Sequence, residues 1–98
     1  MEGFQKFATS SLSLPEHIAY ISSSQLCDIC ICSRSTLDRW RNDLVDLRVE
    51  NFSYQMYSGV YSRMSAESVW QYCQLIRQSS YMIAQQEIKQ HLEDYYGS

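Results

Sequence analysis

The stretch QLCDICICSRSTLDRWRND, Gln25 to Asp43, holds a cysteine cluster and then a charged run, and the fold depends on how the two join. Cys27, Cys30 and Cys32 follow Cys-x2-Cys-x-Cys spacing, which invites a metal or redox reading. The same cysteines also fit a helix, because Leu26, Ile29 and Cys30 share one apolar side and Cys27 sits small beside it. Ser33 then has the chemistry of an N-cap, a hydroxyl that accepts from backbone N–H groups at a helix start. Beyond it Leu37 and Trp40 lie three apart on a buried face, with Arg34, Ser35, Asp38, Arg39 and Arg41 largely outside. Two short helices joined by about three residues are the expected result.

Working outward, Ser22 to Ser24 offer an N-cap for the first helix, and SLPE at 13–16 has capping-box spacing for a short turn through Ala19. Residues 44–63, LVDLRVENFSYQMYSGVYSR, are rich in Val, Tyr and Phe with partial alternation, which predicts a β-hairpin or irregular wing. Ser65 is the expected cap of a third helix with Val69, Tyr72, Cys73 and Ile76 at i, i+3, i+4 and i+7. QSS at 78–80 breaks it, and Tyr81, Ala84, Ile88, Leu92 and Tyr95 form the stripe of a last helix. The expected order is α, α, β-hairpin, α, α, in a mainly α fold.

At 98 residues this is one domain, with a lead-in over 1–19, a main unit over 20–78 and a C-terminal helix over 79–98 that covers the domain or dimerises. Three glycines and one proline are too few for a sandwich or barrel of tight turns. No apolar stretch approaches the length of a membrane span, and the start MEGFQKFATSS lacks the pattern of a secretory signal. A cytoplasmic, reducing setting is the default, in which four cysteines are thiols, ligands or core fillers rather than disulfides. Net charge is −3, yet five of the eight basic residues, all arginine, lie between 33 and 63 and mark an anion-facing surface.

YISSSQLCDICICSRSTLDRWRND (20–43) resembles the first helix pair of the MerR/excisionase-like winged helix-turn-helix group. That group reads roughly Tyr-Leu-Thr-x-x-Glu-Val-Ala-x-Leu-Leu-Gly-Val-Ser-Arg-Ser-Thr-Leu-x-Arg-Trp. Leu26 takes the Val place, Cys27 the small Ala, Ile29 and Cys30 the Leu pair, and Cys32 the second Val. SGVYSRMSAESVWQYCQLIRQ (58–78) resembles the group's wing end and third helix. Ile31 stands where the group has a turn glycine. A left-handed isoleucine costs roughly 1–2 kcal/mol, so a rebuilt turn is expected.

The resemblance implies a winged helix-turn-helix whose second helix, about 34–42, enters the major groove of double-stranded DNA. Arg34, Ser35, Asp38 and Arg39 would lie nearest the bases, and Thr36, Arg41, Arg48 and Arg63 nearer phosphates. Arginine can fork onto guanine O6 and N7, and Asp38 can accept from cytosine N4. Ser33 starts a helix whose N–H groups favour a phosphate. The expected role is a small transcriptional regulator or recombination directionality factor, a homodimer working with transcription or recombination machinery. One alternative is a protein-interaction adaptor that kept the fold and lost DNA binding. Another is a thiol or metal sensor using Cys27, Cys30 and Cys32. Redox-sensing members of the group hold an iron–sulfur cluster on Cys-x2-Cys-x-Cys-x5-Cys, but the fourth place here is Asp38. Core filling is the reading taken for the cysteines, with no metal and no cofactor. His17 and His91 stand alone, and no phosphate loop or nucleophile motif appears, so an enzyme is not expected.

Overall fold

Two serines do the same job at two places in the chain. Ser22 and Ser62 each end a short strand and cap the helix that follows, accepting from Gln25 N and Ser65 N respectively. In a computed structural model that describes residues 11–12, 14–49, 52 and 59–97, the order is β1 (Tyr20–Ser22), α1 (Ser23–Cys30), α2 (Arg34–Asp46), β2 (Val60–Ser62), α3 (Arg63–Gln78) and α4 (Tyr81–Gly97). β1 and β2 pair antiparallel, with Ile21 opposite Tyr61, both buried. The ladder runs on past the strands, since Ser23 N donates to Gly59 O and Arg63 N to Ala19 O, both at 3.0 Å. Because each strand runs directly into a helix, this pairing fixes where α1 and α3 begin relative to each other. Ser22 adds a full capping box, its own N–H donating to the Gln25 side chain at 3.1 Å.

α2 turns Leu37, Trp40 and Leu44 inward, at i, i+3 and i+7. They join Leu26 and Cys30 of α1, Val69, Tyr72, Cys73 and Leu75 of α3, and Ala84, Ile88 and Leu92 of α4 in one buried cluster. Each fully buried large aliphatic contributes roughly 1.5–3 kcal/mol. The α4 stripe therefore packs into the same core as the helix pair, directly against α3. Tyr81 is half-buried at its start, while Tyr95 near its end is 37% exposed and packs on His91 and Tyr96.

The turn between α1 and α2 is not rebuilt around the missing glycine. Ile31 adopts the left-handed conformation, φ 53° and ψ 59°, with its side chain 79% exposed. Its N–H and that of Cys32 both return to the Cys27 carbonyl. Arg77, in the last turn of α3, donates Nη2 to the carbonyls of Cys30 and Ile31, the latter at 3.0 Å. A cation on these α1 terminal carbonyls also suits the negative end of the helix. Arg48 repeats the device after α2, with φ 56° and its N–H on Val45 O.

Three expectations change. The β-hairpin over 44–63 is met differently at both ends: 44–46 complete α2, and 60–62 pair with 20–22 rather than within that stretch. Its middle, 50–51 and 53–58, lies outside the described residues. Helix α2 runs to Asp46, a turn past the expected end, because Leu44 continues the inward face. Helix α3 starts at Arg63, capped by Ser62 three residues before Ser65, which is itself buried. Among its described residues the lead-in holds a turn at 16–17, closed by Ile18 N on Pro15 O; Ser13, its expected cap, is outside the described residues.

Two tests follow from this packing. Ile31→Gly relieves roughly 1–2 kcal/mol of left-handed strain against about 0.5–1 kcal/mol of added unfolded-state entropy, so thermal denaturation should show equal or higher stability. His91 donates Nε2–H to buried Gln71 Oε1 at 3.0 Å, and burial, opposed by Asp94, holds its imidazole below the ordinary range. A depressed folded-state value means the unfolded chain takes up the proton first, so stability is complete above about pH 6.5 and is lost as pH falls below it. Denaturant melts should show a smaller loss for His91→Gln than for the parent between about pH 7 and about pH 5.

Candidate nucleic-acid interface

Ser33 organises the N-terminus of α2. Its hydroxyl accepts from Thr36 N at 3.2 Å, and lies 3.0 Å from Thr36 Oγ1 and 3.2 Å from Ser35 Oγ. One turn on, Arg34, Asp38 and Arg41 meet on a single face. Asp38 Oδ1 accepts from Arg34 Nε at 3.2 Å and from Arg41 Nη1 at 2.9 Å. Arg41 also bridges to Asn42 Oδ1 through Nε and Nη2, and its side chain is only 15% exposed against 56% for Arg34. The arginine expected to reach phosphates at 41 is thus mostly covered by its neighbours.

Arg39 points elsewhere. Its guanidinium sits 5.1 Å from the centroid of the Tyr81 ring, at the start of α4, a cation–π contact worth about 0.5–1 kcal/mol at an exposed site. Tyr81 donates its hydroxyl to Asp43 Oδ2, and so does Tyr72 of α3, at 2.8 Å. One carboxylate of α2 therefore ties together α2, α3 and α4, and Trp40 stands edge-on to Tyr72 at 6.4 Å. Burial, followed by the bond to Asp43, pushes the Tyr72 phenol well above its ordinary range. The Asp43 bond is the chief cause of the same direction at Tyr81. Both phenols stay protonated as donors, as the bridge requires.

Two of the expected phosphate contacts lie apart from this group. Arg48 is exposed beyond the end of α2, on its left-handed residue. Arg63 clasps the lead-in, donating Nη1 to the carbonyls of Pro15 and Ile18 at 2.8 Å each and Nη2 to that of Leu14 at 2.7 Å. Glu67 adds a bond from Leu12 N, and Ser11 reaches Tyr95. Nothing in the local sequence signals the Arg63 clasp or the Asp43 bridge, since each joins residues 29 or more positions apart.

Protein-family models, curated proteins and solved structures give no match to this chain. Its own residues are the ground for a functional reading. Cys30 and Cys73 are fully buried between α1 and α3, and Cys27 and Cys32 are half-buried near the α1–α2 turn. All four are free thiols. A hydrogen bond with Cys73, together with burial, raises the Cys30 thiol far above its ordinary range, and burial pushes Cys32 up to about 11. The same bond, helped by Arg77 and opposed by burial, holds the Cys73 thiol below its ordinary range. Cys30 and Cys32, held protonated, are poor ligands and poor nucleophiles. Among the described residues no group of three or more His, Cys, Asp or Glu could hold a metal ion, and no helix is long and apolar enough to cross a membrane.

The Asp43 bridge gives a direct test of what positions α2. Asp43→Ala leaves two phenols without their charged acceptor and should lower stability by about 2–4 kcal/mol. Tyr81→Phe, which keeps the ring under Arg39, should cost about 1 kcal/mol. A double-mutant cycle in denaturant should show coupling between them.

Proposed function

We propose that this chain is a winged helix-turn-helix protein of the MerR/excisionase-like kind that binds double-stranded DNA, with α2 as the helix laid in the major groove. The observation that carries the reading is the two-sided character of α2. Leu37, Trp40 and Leu44 are buried on one side, and Ser35, Arg34, Arg39 and Asn42 are exposed on the other. The capped start at Ser33 presents backbone N–H groups beside them, and α1 packs behind through a three-residue turn. A helix N-terminus with arginine and hydroxyl side chains suits base edges and phosphates together. SRSTLDRW at 33–40 supports the same reading through its likeness to the group's second helix. The β1–β2 pair is where a wing would join the helices on this reading.

The role that fits is a small transcriptional regulator or a recombination directionality factor. So short a reading helix covers few base pairs, so two copies on adjacent half-sites would raise affinity. The adaptor reading draws on one observation: α2 carries three arginines and three aspartates, so the helix as a whole is neutral.

Binding to duplex DNA across a salt series separates the two. DNA binding predicts a linear fall of log K with log salt. Arg34→Ala should weaken binding by roughly 1–3 kcal/mol and reduce discrimination between sequences. Arg39→Ala should weaken it by a similar amount. Salt-independent or absent binding by the unmodified protein, or arginine variants that bind as the parent does, would sink the reading.

A further inference from the structure

We propose that Cys27 and Cys32 form a dithiol site which small-molecule disulfides oxidise to an intramolecular disulfide, locking the α1–α2 turn in its present shape. The proposal does not draw on the DNA-binding reading. Its ground is the end of α1, where the Cys27 carbonyl accepts two backbone bonds, from Ile31 N and, at 3.0 Å, from Cys32 N. A helix closed in this way, through a left-handed residue, brings the side chain just after that residue onto one in the last turn. Here both side chains at that contact are cysteines, and the Cys32 thiol is hydrogen-bonded to that of Cys27.

Reach and access both favour this pair. Standard backbone bond lengths and the Cys32 N–Cys27 O bond keep the two Cα atoms within about 7 Å, which is the span a disulfide can bridge. Cys30 and Cys73 also share a hydrogen bond, but both are fully buried, whereas Cys27 and Cys32 are half-buried. A dissolved disulfide therefore meets Cys27 and Cys32 without opening the contact between α1 and α3.

The exchange has a direction. Burial first, then the neighbouring Cys27, pushes the Cys32 thiol up to about 11, so Cys27 makes the first attack. As thiolate it attacks one sulfur of a reagent RSSR: a Cys27–S–SR bond forms, the reagent's S–S bond breaks, and RS⁻ leaves and takes up a proton. Cys32 then attacks the Cys27 sulfur, its own proton passing to the second RS⁻, and the Cys27–Cys32 bond forms. Two protein thiols are oxidised by two electrons, and one RSSR is reduced to two RSH. Capping Cys27 removes a neighbour that opposes ionisation of Cys32, while Arg77 favours it. A thiolate of high pKa is also intrinsically the stronger nucleophile once formed. The product makes covalent a turn otherwise held by two backbone bonds and the Arg77 guanidinium, directly before the Ser33 cap of α2.

The test incubates the full chain, reduced and free of oxygen, with oxidised glutathione, and follows it by mass spectrometry without reductant. The parent should lose two hydrogens, and fragmentation should place the new bond between Cys27 and Cys32. Cys32→Ser should stop at one glutathione adduct, on Cys27, whereas Cys27→Ser should give neither adduct nor disulfide. Circular dichroism checks that both variants fold, and fragmentation of the parent decides the pairing by itself if either does not. The oxidised parent should melt about 4 °C or more above the reduced protein. The proposal is overturned if the folded parent stays reduced or retains glutathione, if the bond falls on Cys30 or Cys73, or if oxidation lowers the melting temperature.

Discussion

The antiparallel pairing of two three-residue strands, each ending in a capping serine, is the constraint on which the rest of the molecule hangs. Strands this short have little stability of their own. Here they are secured from both sides, by Ile21 and Tyr61 facing each other in the core and by two helices that start where the strands stop. Once α1 and α3 share a common origin, their far ends meet as well, where Arg77 closes on the last carbonyls of α1. α2 then occupies the space left beside them and is tied down by the Asp43 bridge. The outward arginines are thus set by a frame in which charge, capping and burial agree.

That frame explains how an isoleucine survives at a left-handed turn. Strain of this kind persists where the surroundings over-determine it. At Ile31 the surroundings are two backbone bonds to Cys27 and one guanidinium, with no side-chain packing, since the isoleucine itself lies in solvent. The neighbouring cysteines fit the same picture. Small and apolar, they let α1 approach α3 closely where Cys30 and Cys73 touch.

Parts of this were legible from residues alone, for reasons that can be named. Ser22 and Ser33 sit in front of apolar positions at helical spacing, so their caps were readable, as were Leu37 and Trp40 on the inner face. The left-handed turn could be located because a glycine was expected where Ile31 stands. The β1–β2 pairing could not, since three residues are too few for alternation to register and the partners lie 40 positions apart. The last turn of α2 was hidden by composition: Leu44, Val45 and Leu47 read as strand formers, although Leu44 prolongs the Leu37–Trp40 face. Ser65 was the expected cap of α3, and the strand pairing of Ser62 moves the cap three residues earlier. At the site, the outward residues of α2 were found in sequence, but their pairing was not. Arg34 and Arg41 are joined by Asp38, and Arg63 is turned to the lead-in, because tertiary partners compete for each guanidinium.

The Asp43 bridge also bears on modularity. The outer surface of a helix such as α2 is often pictured as interchangeable, its residues swapped while the scaffold is retained. Here Asp43 and Arg39 on that helix are complementary to the hydroxyl and ring of Tyr81, and Asp43 also to the hydroxyl of Tyr72. Transplanting new outer residues onto this chain would need those two left in place, and a fragment trimmed before residue 81 would lose the ring that Arg39 rests on. Divergence of the outer surface is therefore channelled through positions 34, 35, 38 and 42, which Asp43 and Arg39 leave available to change.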